Sequence, residues 1–158
     1  MYDNLMNKFA YGNMSQEGIY IDENLMRMCR THRMMFAELT AALLEQGDKE
    51  RAVKVLDKAE AELPGYNIPY DYTSATMACY YFECGETEKG SAIMRTVAQS
   101  CVEYLEWGAQ LSKNQRQGVQ RTIGQNGAIL GFVLQQCERY GVRNIVDEYS
   151  PVYMRLVR

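Results

Sequence analysis

A helical period, broken at intervals by glycine, constrains this chain more than any other feature. From Asp22 onward, Leu25, Met28, His32, Met35, Leu39 and Ala42 recur at spacings of three and four, and Cys29, Phe36 and Leu43 widen the stripe. That is the pattern of a helix with one face on a core. Asp22 suits an N-cap and Gly47 a stop. A second period begins at Asp48, with Ala52, Val55, Leu56, Ala59 and Leu63 as its apolar face, and Pro64-Gly65 closes it. So short a connection folds the two helices back as an antiparallel hairpin.

The pattern continues along the chain. A third helix runs to Cys84, with Ala75, Ala78, Cys79 and Phe82 on one side, and Gly85-Glu86 is the next turn. A fourth carries Ile93, Met94, Val97, Cys101, Val102 and Leu105 and extends to about Leu111. A polar patch, Ser112 to Gln117, precedes a fifth helix with Val119, Ile123, Ile129, Phe132, Val133 and Cys137. Gly118, Gly124, Gly127 and Gly131 weaken this helix intrinsically, so their spacing predicts a face that another helix approaches closely. Gly141 ends it, and Val142 to Val157 forms a sixth helix interrupted by Pro151. Nothing reads as a strand series. The expected fold is all-α, about six or seven helices stacked as antiparallel hairpins.

Composition removes several functions. The 158 residues carry 17 Lys+Arg against 20 Asp+Glu, a net charge of −3 that argues against a nucleic-acid platform. One histidine leaves little for multi-histidine metal sites or Ser-His-Asp chemistry, so neither a metal, a cofactor nor an enzyme activity is expected. The five cysteines, Cys29, Cys79, Cys84, Cys101 and Cys137, are odd in number and lack C-x-x-C spacing, which suits packed free thiols. No apolar run approaches the ~18 residues of a membrane span.

The stretch from Arg33 to Tyr66 places Leu39 and Leu43 on one helix, Gly47 in a turn, Ala52, Leu56 and Ala59 on the next helix, and Pro64 at the end. This resembles a tetratricopeptide repeat, although Phe36 and Thr40 stand where that repeat has other residues. A second unit reads similarly from Asp71, with Ala78, Tyr81, Gly85, Gly90, Met94 and Val97, its turn glycine 38 residues after the first. The expected organisation is an irregular arm over 1–21 and a helical-repeat domain over 22–158, with units 33–66 and 71–104 and a degenerate one over 126–158.

Three further segments carry a second resemblance: Met1-Tyr2-Asp3-Asn4-Leu5-Met6-Asn7-Lys8-Phe9, then Tyr20-Ile21-Asp22-Glu23-Asn24-Leu25 with Arg27-Met28, then Tyr66-Asn67-Ile68-Pro69-Tyr70-Asp71-Tyr72. Together the sequence resembles the soluble C-terminal tail of a Bacteroidetes family of multi-span inner-membrane proteins similar to protein O-mannosyltransferases. The resemblance implies an extracytoplasmic tail on the periplasmic side of the inner membrane, with the catalytic part outside this chain. It carries no catalytic residue over.

Helical repeats of this type bind extended segments along the first helix of each pair. That face would present Met34, Ala37, Ala41 and Leu44, then Tyr72, Ala75, Cys79 and Phe82, with Glu45 and Glu83 at its edges, unless the fifth and sixth helices fill it. The expected partner is a protein or peptide, the chain's own membrane domain or a second copy included. Arg27, Arg30 and Arg33 form a cationic cluster that is an anion-binding candidate. His32 falls on the apolar stripe and reads as a packed core residue. A second reading joins the tyrosine-rich loop to the arginines as a site for a small ligand or glycan.

Overall fold

The computed structural model describes residues 1–157, and these are all-helical, with no strand among them. A short π-helical turn, Asn4–Lys8, precedes six α-helices: α1 (Glu23–Glu45), α2 (Lys49–Glu62), α3 (Tyr72–Glu83), α4 (Thr87–Ala109), α5 (Lys113–Arg139) and α6 (Arg143–Val157).

Three near-identical turns end α1, α3 and α5. At the end of α1, Gly47 adopts φ +75°. Its N–H donates to the Leu44 carbonyl, and the Asp48 N–H to that of Leu43, both at 2.9 Å. This is the Schellman arrangement, which satisfies two otherwise orphaned carbonyls and needs a residue that tolerates the left-handed region. Asp48 then caps α2 by accepting from the Arg51 N–H at 3.0 Å. The same bond pattern recurs at Gly85 between α3 and α4 and at Gly141 between α5 and α6.

The chain divides into two compact units, Met1–Gly90 and Ser91 onward. In the first, Phe36 of α1, Val55 and Leu56 of α2, Ala75, Met77 and Ala78 of α3, and Ile68 of the α2–α3 loop are fully buried. Each large apolar side chain among them contributes about 1.5–3 kcal/mol. Gly90 lets α4 begin against α3: a Cβ there would lie 2.6 Å from the Phe82 ring and 2.8 Å from the Ala78 carbonyl. The N-terminal arm is tied to the α2–α3 loop. Asn67 Nδ2 donates to the Met14 and Gln16 carbonyls at 2.7 Å, and Tyr66 Oη to that of Ser15 at 2.6 Å.

In the second unit, Met94, Val97 and Ala98 of α4, Leu130, Val133 and Cys137 of α5, and Ile145 of α6 form the core. Arg95 pairs with Glu148, Arg155 with Glu106 at 2.8 Å, and Tyr149 Oη donates to Gln99 Oε1 at 3.2 Å. The glycine face of α5 is half of what its spacing predicts. The Tyr153 ring of α6 lies on Gly131 and Val157 on Gly127, while Gly118 and Gly124 face open space.

Two local expectations change. The polar patch 112–117 does not precede α5 but is mostly its first turn, because Gln115 Oε1 accepts from the Ser112 N–H at 3.0 Å and hydroxyl at 2.7 Å and caps it. Pro151 lies inside α6 without ending it. Packing on both sides, with Tyr149 buried and Tyr153 on Gly131, carries the helix through the missing N–H.

Candidate functional site

The three arginines of α1 do not act together. Arg33 is 1% exposed. Its guanidinium donates to the carbonyls of Leu63 at 2.8 Å, Ile68 at 2.7 Å and Pro69 at 3.0 Å. Its Cζ stands 5.4 Å from the centre of the Tyr70 ring. Burial pulls the guanidinium below its ordinary pKa, and the charges of Asp71 and Glu60 oppose that pull. Burial raises the Glu60 carboxyl, against a hydrogen bond from Tyr70 Oη and the Arg33 charge, which lower it. Arg33 therefore holds the α2–α3 loop together and is not a free anion clamp. Five N–H donors in a rigid fork suit it to collecting carbonyls that arrive from 30–36 residues away.

Arg27 and Arg30 stay exposed. Arg27 Nη2 donates to Asn24 Oδ1 at 2.6 Å and borders an open cavity of about 490 Å³, lined by Asn24, Arg27, Met28, Thr31 and His32. His32 is half-buried, with the Phe9 and Tyr11 rings packed T-shaped against it at centroid distances of 5.5 and 5.7 Å.

The groove between α1 and α3 exists, but its α3 wall is rotated from the one expected. Ala75 is fully buried, and Ala37, Cys79 and Phe82 nearly so; these four pack inward instead of lining a groove. Met34 and Tyr72 are exposed, at 46% and 52%, and Ala41 and Leu44 are half-buried. Near the ends of both helices, a cavity of about 360 Å³ is lined by Ala41, Leu44 and Glu45 of α1 and by Tyr80 and Glu83 of α3. Arg33, midway along α1, bonds Pro69 just before α3, and the last turns of both helices meet at this cavity, so α1 and α3 run in the same direction. Met34 and Tyr72 stand eleven residues before Glu45 and Glu83, and each pair is 38 residues apart, the interval of the turn glycines Gly47 and Gly85. Thr76 completes the outward row of α3, its hydroxyl donating to the Tyr72 carbonyl at 3.1 Å. Burial raises the Tyr80 phenol, with smaller contributions from Glu83 and Glu45. The carboxylates of Glu45 and Glu83 give the groove mouth its acidic character.

The sequence reading missed Tyr80: the 38-residue interval maps it onto Ala42, which falls on the apolar stripe of α1 in the sequence and does not line the cavity, so the repeat carries no signal for it. It also missed the clamp formed by Tyr66 and Asn67. Two tyrosines of this region are tied internally: Tyr70 bonds Glu60, and Tyr81 Oη donates to Asp57 Oδ1 at 2.9 Å beside the Lys89–Asp57 pair, while Tyr66 and Tyr72 are exposed. The cavity at Arg27 is lined by neither Tyr70 nor Tyr72. Among the described residues, no three His, Cys, Asp or Glu side chains cluster to hold a metal, and no helix is long and apolar enough to cross a membrane. Comparison with family models, curated proteins and solved structures gives no match.

Proposed function

We propose that this chain is a helical-hairpin interaction module that receives an amphipathic helical segment in the α1–α3 groove. The observation that carries the reading is the apolar floor of Ala41, Leu44 and Tyr80 between the carboxylates of Glu45 and Glu83, continued by exposed Met34 and Tyr72. An apolar strip with an acidic rim suits a helix with apolar residues at i, i+3 and i+4 flanked by Lys or Arg. The likeness of the hairpins to tetratricopeptide units supports the same use of this face. The resemblance to the tail of O-mannosyltransferase-like membrane proteins supports a partner in the parent protein or its assembly, on the extracytoplasmic side. The reading is of binding, with any catalysis belonging to the membrane part.

The test is charge reversal. Fluorescence anisotropy of a basic amphipathic helical peptide, with an acidic peptide of the same apolar spacing as control, should show preference for the basic one. Glu45→Lys with Glu83→Lys should invert that preference, and Leu44→Asp should abolish binding of both. Equal binding of both peptides to the wild-type chain and to the double variant would refute the reading.

A further inference from the structure

A second cavity, of about 160 Å³, lies where the N-terminal arm crosses α1, and several sulfur- and nitrogen-bearing residues line it. Met14, Met28, Cys29 and His32 line it together with Leu25, Leu63 and aromatic residues of the arm. Cys29 is buried, and its Sγ stands 3.7 Å from Met14 Sδ. His32 comes one helical turn after Cys29, and its Nδ1 is shielded from solvent without a hydrogen-bond partner among the described residues. An orphaned buried nitrogen is uncommon, and here it belongs to a residue of the cavity wall that also carries a thiol and a thioether.

We propose that Met14, Cys29 and His32 form a binding site for one soft monovalent cation, Cu(I). The donor set selects the ion. The lining contains no carboxylate, so Ca²⁺ and Mg²⁺ lack their ligands, and Zn²⁺ would lack the four good N, S or O donors of its usual sites. Thiolate and thioether favour Cu(I). Two sulfurs 3.7 Å apart, each about 2.3 Å from a common ion, subtend an angle of about 107°. The present sulfur positions thus accept an ion with little movement. As the bond forms, the Cys29 thiol proton leaves to solvent. A thiolate with a monovalent ion is then neutral overall, which suits the apolar walls.

The frame of the site is already fixed. Asn67 holds the Met14 carbonyl, and Phe9 and Tyr11 pack T-shaped against the His32 ring. Half-buried Met14 and largely exposed Met28 give the ion a path from solvent.

The experiment is an anaerobic titration of the full chain with Cu(I) against a chromophoric Cu(I) chelator, repeated with Ag(I) as a redox-silent surrogate. The expected result is one equivalent bound, with an absorption-edge spectrum showing sulfur and nitrogen ligands together. Cys29→Ser should lower affinity by about a hundredfold. Met14→Leu, which conserves volume, should lower it by about tenfold with an unchanged unfolding midpoint. His32→Phe should remove the nitrogen from the spectrum, while Cys84→Ser should leave affinity unchanged. Affinity within threefold of wild type in both Cys29→Ser and Met14→Leu would overturn the assignment. So would an all-sulfur shell, loss of binding in Cys84→Ser, or equally tight retention of Zn²⁺.

Discussion

Replacing Arg33 tests whether one buried guanidinium organises the α2–α3 loop. It makes three hydrogen bonds to carbonyls at 2.7–3.0 Å. A bond with a charged donor contributes about 1.5–3 kcal/mol, so the gross sum is roughly 4–9 kcal/mol. Keeping the charge out of water offsets several kcal/mol of that. Pro69 is exposed and its carbonyl can regain water, whereas Leu63 and Ile68 are buried and theirs regain it poorly. Arg33→Met is therefore expected to lose about 3–5 kcal/mol, and Arg33→Lys, which keeps the charge but has one nitrogen for three acceptors, about half as much. In a chain of this size the larger loss lowers the midpoint by about 10 °C. Urea unfolding followed by far-ultraviolet circular dichroism measures the loss. Amide exchange of Ile68, whose N–H donates to the Pro64 carbonyl at 2.9 Å, reports the loop directly and should accelerate. A methionine variant within about 1 kcal/mol of wild type, or a lysine variant as stable as wild type, would refute the reasoning.

Further predictions concern glycine and titration. Gly118→Ala and Gly124→Ala, where a Cβ meets nothing within 4 Å, should each stabilise the chain by up to ~1 kcal/mol in urea unfolding, whereas Gly90→Ala should destabilise it by about 2 kcal/mol or more, because the Ala78 carbonyl beside it is backbone and cannot give way. Burial, with Glu62 nearby, pushes the Tyr11 phenol from 10.0 up to about 12. The folded state thus keeps this proton longer than the unfolded one, and the stability it contributes is intact below pH 10 and is lost as pH rises towards 12. Tyr11→Phe, which deletes the bond to the Leu5 carbonyl, should be less stable by about 1 kcal/mol at pH 7, and the gap should narrow above pH 10 in unfolding measured against pH.

The hairpin plan was legible because its signals are local. Asp22, Asp48 and Asp71 cap their helices through N–H groups three residues on, and Gly47, Gly85 and Gly141 end theirs within one turn. The groove wall was not legible on α3. Ala75, Met77, Ala78, Cys79, Tyr80, Tyr81 and Phe82 are apolar around the whole helix, so periodicity cannot choose a face, and packing against α1 and α2 chooses it. Arg33 was misread for a different reason. Its position beside Arg30 suggests a shared cationic surface, while the carbonyls that claim it lie beyond a whole helix in sequence. The proposed copper site shares that origin, since Met14 meets Cys29 where Tyr66 and Asn67 tie the arm to the α2–α3 loop.

The most direct test of the interaction reading is chemical-shift mapping of the isotope-labelled chain titrated with the basic amphipathic peptide. The account predicts saturable shifts at Met34, Ala41, Leu44, Glu45, Thr76, Tyr80 and Glu83, with buried Ala75 little changed. Shifts centred on Arg27 and Arg30, or none at the α1–α3 groove at saturating peptide, would contradict it.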